Sequence, residues 1–394
     1  MTSTPPTDIE NQKPPARDCQ ARTSVILYYF LAAFAALLAW QMLKVRGLCG
    51  DEFIWDKIGK QWCAGTAPYT GLFENKNPGI FYIHFLSNFF FGGSPYLGRI
   101  AGMTLQLGAA LLAYDITSGI LSASQRLWCL AAFIVLTLVP STDPIMVGAT
   151  ESFMYPLTVL GFWLYLRLPR QNKPQQAASL VPAFLAGAAV GAAIVFKQIA
   201  LPSLFALMCW PALSKPFSVA WRESLAMLAG AVALNAAAVT PILLSGATFQ
   251  QYFQMAWVSL FGIGRFSAIG RSYSINWAVW AEWILPMTLF CLVLARKRAA
   301  WPFLLWLCAD FAGVNGSGDY FSHQFKQLIP SVAICGGWAL SDIFKAYPEN
   351  KRNFALVALM TGFFLISALD NVVERSWRGW SDGVYKHLYS SPQR

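Results

Sequence analysis

Eleven apolar runs recur along the chain, at 24–43, 96–117, 127–140, 145–166, 181–196, 198–213, 224–244, 278–295, 301–314, 328–344 and 354–369. A helix needs about 20 predominantly apolar residues to cross the hydrocarbon core of a bilayer. Lipid gives an open backbone no hydrogen-bond partner, so repeated runs of this kind predict an all-α, polytopic membrane protein of about 11 spans. The runs 127–140 and 301–314 are the shortest for a full crossing. Composition points the same way: 56% of residues are hydrophobic and 12% are charged, against roughly 25% charged in soluble domains. The first 22 residues are polar and contain proline, and no cleavage-like site follows the first apolar run, which reads as a retained span.

The net charge of +10 raises nucleic acid as a partner. The basic residues form no single patch, however. They sit in short clusters between apolar runs, where positive-inside topology places them, so no nucleic-acid partner is expected. With the N-terminus inside, the cytoplasmic segments are 1–23, 118–126, 167–180, 214–223, 296–300 and 345–353, and Arg296-Lys297-Arg298 is the firmest anchor. The expected organisation is a cytoplasmic tail 1–23, a membrane domain 24–369 containing a long outside loop 44–95, and an outside tail 370–394.

That loop is too long and too patterned for a connector. It opens on Gly50-Asp51-Glu52-Phe53 as the chain leaves the first span. Residues 52–64 then predict an amphipathic helix, with Phe53, Ile54, Ile58 and Trp62 opposite Lys57, Lys60 and Gln61. A turn at Gly65-Thr66-Ala67-Pro68-Tyr69 follows, then Glu74-Asn75-Lys76-Asn77-Pro78, then a strongly aromatic helix over 79–91 that suits the membrane surface. Two surface helices beside a span form a shelf that can hold a lipid phosphate while the tail stays in the bilayer. Asp51 and Glu52 are candidate general bases for a hydroxyl acceptor; the bland alternative is an N-cap with an acidic first turn. Lys76 is either a point charge for phosphate or a solvated loop lysine. Cys49 and Cys63 share this loop and can pair if it faces an oxidising compartment.

Gly50-Asp51-Glu52, the Ala64-to-Tyr69 turn and Glu74-Asn75-Lys76-Asn77-Pro78-Gly79-Ile80-Phe81-Tyr82 resemble the first periplasmic loop of the GT-C membrane glycosyltransferases. Within that class they resemble the branch of the protein O-mannosyltransferases and the lipid A aminoarabinose transferases. The resemblance implies a GT-C-like fold and transfer of a sugar from a polyprenyl-phosphate donor to a glycan, lipid or protein acceptor on the non-cytoplasmic face, in a bacterial inner membrane. It implies Asp51 as base, Glu52 as supporting carboxylate, Tyr69 and Glu74 as substrate-orienting residues and Lys76 as phosphate contact. Asn77 departs from the family pattern by interrupting Lys-Pro.

Three later stretches resemble the same class. Gly148-Ala149-Thr150-Glu151-Ser152-Phe153 sets Glu151 near the outside end of a span, as a substrate-orienting group or as the partner of a buried cation. Gly187 to Gln198 ends in Phe-Lys-Gln, with Lys197 either facing a lipid head group or snorkelling at a span end. Asp319 to Pro330 carries His323, which either orients substrate or caps the next helix. Loop 245–277 adds Arg265 and Arg271, one of which is expected to fork onto phosphate. No nucleotide phosphate loop is present and no cofactor is required by these motifs. A divalent metal is left open, with Glu52, Glu74 and His323 as conceivable ligands. The rival reading from another class is a lipid or amphiphile transporter that uses Glu151 and Lys197 as pathway groups; the long helical loop argues against it, because transporters place their sites near the midplane.

Overall fold

The structure is a computed structural model and describes residues 16–44, 48, 51–72, 74–138, 148–168, 180–259, 290–317 and 322–344. Every regular element among them is helical. The α-helices are α1 (Ala16–Lys44), α2 (Glu52–Cys63), α3 (Gly79–Phe91), α4 (Tyr96–Ile116), α5 (Ala123–Leu138), α6 (Thr150–Arg167), α7 (Val181–Phe196), α8 (Leu201–Cys209), α9 (Phe217–Leu244), α10 (Phe249–Phe253), α11 (Trp301–Ser317) and α12 (Ile329–Phe344).

The expected runs become helices with shifted ends. The run 198–213 is not one helix: 3-10 turns at Gln198–Ala200 and Trp210–Leu213 bracket α8. Pro202 and Pro211 sit near the starts of α8 and of the second turn, where a missing N–H is tolerated. Helix α9 begins at Phe217, inside the segment expected to be a loop. Glu223 can enter the helix because Tyr165 Oη donates to its Oε2 at 2.7 Å and Lys215 pairs with it. Helix α5 starts at Ala123 because Ser122 and Gln125 cap it reciprocally: Gln125 Oε1 accepts from the Ser122 N–H at 2.9 Å and the Gln125 N–H donates to Ser122 Oγ at 3.4 Å. The expected run 278–295 is described only from residue 290, and 354–369 lies outside the described residues. Among the described helices α9, with 28 residues, is the one that is by length and composition able to cross a membrane alone.

Side-chain contacts fix the relative directions of the helices. Gly187 and Gly191 of α7 face Met227 and Ala231 of α9, so the two run parallel. The chain must therefore cross back between them, and 198–213 is that return. Arg99 lies by Gly148, Gln106 bonds Tyr155, and Asp115 meets Trp163 and Arg167, which makes α4 and α6 parallel as well. Stacking of Phe153 on Phe196 and the approach of Gly161 to Ala186 make α6 and α7 antiparallel. Ser203 with Asp310, and Ile199 with Gly313, do the same for α8 and α11. These relations are the alternation that successive crossings require.

The bundle thus has two distinct ends. One gathers Arg126, Arg167, Lys215, Lys297 and Arg298, with Asp115, Glu223 and Asp342 as partners. The other gathers Glu52, Lys76, Glu151 and Lys197. A large apolar core fills the bundle, with Phe162 stacked 3.8 Å from Trp306. A second core of Trp55, Ile58, Tyr69, Ile80, Phe81, Phe153, Ile242 and Tyr252 fastens α2 and α3 onto the second end.

Helix α2 forms as expected, and the side it turns to the protein is mixed in character. Trp55, Asp56, Ile58 and Gly59 are buried, whereas Phe53 and Ile54 are exposed. Gly59 decides the rotation: a Cβ there would meet the His84 backbone at 2.7 Å, so only this face lets α3 approach. Phe53 and Ile54 then point away from protein, as do Phe89, Phe90 and Phe91 at the end of α3. That outward apolar surface suits helices lying on a bilayer.

Candidate active site

Glu52 and Arg99 form the first fixed point. Glu52 starts α2 and is 2% exposed, and the Arg99 guanidinium grips it with two bonds, Nη2 to Oε2 at 2.6 Å and Nε to Oε1 at 3.1 Å. A fork of this kind is among the stronger polar contacts available to a buried carboxylate. Gly148 packs against it, since a Cβ there would lie 2.8 Å from Glu52 Oε1. The pair joins α2, α4 and the entry to α6.

Asp51 is the neighbouring residue and is placed quite differently. It occupies the N-cap position of α2, yet its side chain makes no capping hydrogen bond, and it is exposed. The side-chain cap is therefore not made, although Glu52 does supply the acidic first turn.

The loop after α2 is built around Tyr69. This residue is 2% exposed and adopts φ of 69°, in the left-handed region where a side chain other than glycine is strained. Its ring packs on Phe81 and Tyr252 at 5.4 and 5.5 Å, and its hydroxyl donates to the Lys76 carbonyl at 2.8 Å. Tyr69 thus sets the backbone that carries Lys76. The Lys76 ammonium lies 3.6 Å from Glu74 Oε1 and donates to Asn75 Oδ1 at 3.1 Å. Glu74 Oε1 also accepts from the Asn75 N–H at 2.8 Å.

Asn77 has a structural reason for interrupting the Lys-Pro pair. Its side chain is fully buried and donates to the Ile194 carbonyl at 2.6 Å, which pins the loop to the end of α7. Gly79 permits this docking, because a Cβ would meet the Val195 carbonyl at 2.8 Å. Gln198 completes the seam by donating to the Asn75 carbonyl at 3.0 Å and to the Ala256 carbonyl.

Lys197 follows directly. It is the extended residue between α7 and the next turn, with φ of −156°, and is 5% exposed. It pairs with Glu151, whose Oε2 also accepts from Thr150 Oγ1 at 3.0 Å. Burial disfavours the Lys197 charge, Glu151 favours it, Lys76 opposes it and Asp51 favours it. Asp51, Lys76, Glu151 and Lys197 therefore share one electrostatic neighbourhood at one end of the bundle. Glu151 and Lys197 are each other's partner, which merges two separately read motifs into one ion pair.

Other expected residues are placed less fully. His323 lies in a 3-10 turn, Ser322–Leu328, which packs against α6 and α11. Arg265, Arg271 and Cys49 lie outside the described residues. Cys63 is free and its Sγ lies 3.6 Å from the Phe85 carbonyl. Glu52 is committed to Arg99 and Glu74 to Lys76, and among the described residues no group of three His, Cys, Asp or Glu side chains is placed to hold a metal ion. His84, a surface-helix residue, is pushed down to about 4 by burial against the opposing pull of Asp56, so it is neutral at pH 7. Sequence reading missed Arg99, Gln198 and Asp310. Arg99 and Asp310 were findable as ionisable groups inside apolar runs; Gln198 ends the Phe-Lys-Gln stretch, which by itself gives it no role.

The all-helical bundle resembles the polytopic GT-C membrane fold of ArnT. Two solved structures carry the comparison. ArnT from Cupriavidus metallidurans bound to undecaprenyl phosphate matches with a TM-score of 0.52 at 18% identity, covering 81% of this chain and 60% of that one. ArnT from the same organism in the apo state matches with a TM-score of 0.53 at 18% identity, covering 82% of this chain and 60% of that one. The chain thus spans about 60% of the length of the ArnT structures it matches. No protein-family model matches the sequence. No curated protein matches it either.

Proposed function

We propose that the chain is a glycosyltransferase that takes its sugar from a polyprenyl-phosphate donor at the Lys197 end of the bundle, on the periplasmic face of a bacterial inner membrane. One observation carries this reading: an exposed, uncapped Asp51 shares a neighbourhood with Lys76, Glu151 and Lys197 beneath surface helices. An anionic lipid phosphate needs buried or half-buried cations, and an acceptor hydroxyl needs a nearby carboxylate with nothing else to hold. The fold shared with a protein solved with undecaprenyl phosphate supports the same donor class.

The reaction balances as a single displacement. The acceptor hydroxyl oxygen attacks the anomeric carbon, and its proton passes to the Asp51 carboxylate. The bond from the anomeric carbon to the phosphate oxygen breaks, and polyprenyl phosphate leaves with the electron pair. Lys76 and Lys197 offset the charge gathering on that phosphate, with Arg265 or Arg271 as a further fork. Attack opposite the leaving group inverts the anomeric centre. Glu52 supports Asp51 by holding the start of α2 through Arg99. Glu74 and Glu151 orient the two lysines, Tyr69 holds the Lys76 backbone, and His323 stands as a substrate-orienting candidate.

Purified protein incubated with a polyprenyl-phosphate sugar is expected to release polyprenyl phosphate. Asp51→Ala is expected to lower turnover by at least about a hundredfold while leaving the protein folded in detergent. Full activity in that variant would remove Asp51 from the role. Lipid movement between leaflets without cleavage of the donor would favour the transporter reading instead.

A further inference from the structure

We propose that Asp310 is a positioning residue that latches the Lys197-Gln198 break and the Ser322–Leu328 turn together, through hydrogen bonds and not through its charge. The proposal rests on the glycosyltransferase reading for its effect on turnover, although the latch itself is a matter of geometry. Asp310 lies in the middle of α11 and is fully buried among Phe303, Trp306, Leu307 and Val314. A carboxylate in such surroundings is costly unless its oxygens are met. Here Ser203 Oγ of α8 donates to Oδ1 at 2.6 Å, and Ser331 Oγ of α12 donates to Oδ2 at 2.7 Å.

The two serines are the ends of two segments that the site needs. Ser203 stands six residues after Lys197, and Ser331 stands three residues after the turn that carries His323. Gln327 of that turn closes the connection, since its Nε2 donates to the Ile199 carbonyl at 2.7 Å and to Ser203 Oγ at 3.3 Å. Gly313, one turn beyond Asp310, leaves room for this: a Cβ there would meet the Ile199 carbonyl at 2.3 Å and Gln327 Nε2 at 2.6 Å. Helices α8, α11 and α12 and the Ser322–Leu328 turn thus meet around a single carboxylate, whose partner Ser203 lies six residues along the chain from Lys197.

Hydrogen bonding and charge separate cleanly at this position. An asparagine keeps one acceptor for Ser203, and its amide N–H can donate to Ser331 Oγ. The Ser331 hydroxyl then turns to the Leu328 carbonyl, which already lies 3.3 Å away. An alanine removes both contacts and leaves a void.

The test compares wild type, Asp310→Asn, Asp310→Ala and the pair Ser203→Ala with Ser331→Ala, using the full-length protein in detergent. Hydrogen exchange reports the latch without reference to activity. Asp310→Ala and the serine pair are expected to speed exchange of backbone amides around 197–200 and 322–328 by roughly tenfold or more, and Asp310→Asn by much less. In turnover of a polyprenyl-phosphate sugar, Asp310→Asn is expected to stay within about threefold of wild type with an unchanged pH profile, while Asp310→Ala loses kcat. Loss of activity in Asp310→Asn equal to that of Asp310→Ala would overturn the proposal, because the charge would then be what matters. Unchanged exchange at both segments in Asp310→Ala would overturn it as well. If wild type cleaves no donor, the glycosyltransferase reading fails, and the exchange measurements still decide the latch.

Discussion

Asp51 and Glu52 are adjacent in sequence and opposite in environment. Glu52 is buried and doubly bonded to Arg99, whereas Asp51 is exposed and caps nothing. Sequence spacing placed both carboxylates at the point where the chain leaves the membrane, but it could not separate their tasks. The separation depends on Arg99, which lies 47 residues away and reaches Glu52 only once the start of α4 is folded back to the start of α2. Asn77 teaches the same lesson, since its departure from a motif is explained by the Ile194 carbonyl 117 residues on. Glu52→Ala strands a buried guanidinium and is expected to cost about 3–5 kcal/mol, read as thermal unfolding in detergent. Combining it with Arg99→Leu is expected to recover most of that loss. No recovery in the double variant would mean that Glu52 stabilises α2 through something other than Arg99.

Element-scale features were more legible. The apolar runs located most described helices, and α7 falls at 181–196 as expected. Ends shifted where a local cap or a charge partner decided them, as at Ser122 and Glu223. Amphipathicity predicted α2 as a surface helix but did not say which of its apolar residues meet protein. In a protein that also touches lipid, an apolar side chain has two places to go, and close approach at Gly59 chose between them. The glycines of α7 and α9 show how strongly small residues govern such contacts. A Cβ on Gly187 would lie 1.9 Å from the Met227 carbonyl oxygen, so no rotamer change relieves it. Gly187→Ala is expected to destabilise the protein by about 1–3 kcal/mol. Gly108→Ala in α4 meets nothing within 4 Å and is expected to be neutral or slightly stabilising by up to about 1 kcal/mol. Equal effects in the two variants, measured by thermal unfolding, would refute close α7–α9 packing as the cause.

Across the whole molecule, charge is polarised along the bundle. Arg126, Arg167, Lys215, Lys297 and Arg298 mark one end, and the Glu151–Lys197 pair with the α2–α3 shelf marks the other. Positive-inside topology predicts that the first end is cytoplasmic. In a cysteine-free background, a single cysteine in place of Thr66 should react with an impermeant thiol reagent added to intact spheroplasts. One in place of Arg298 should react only after the membrane is opened. The reverse pattern would invert the molecule and move the candidate site to the cytoplasm.

The sequence by itself determined that this is a helical membrane chain, roughly where its helices run, and which long loop holds a carboxylate and a lysine. Those properties come from composition and from periodicity over tens of residues, which local reading captures. The loop's opening carboxylates look alike at that level. Only the tertiary structure decided that Asp51 makes no side-chain cap, that Glu52 belongs to Arg99, that Glu151 and Lys197 are one pair, and that Asp310 holds Ser203 and Ser331. Each of these is a contact between distant segments, and its partner is selected by packing geometry, which no short window of sequence contains.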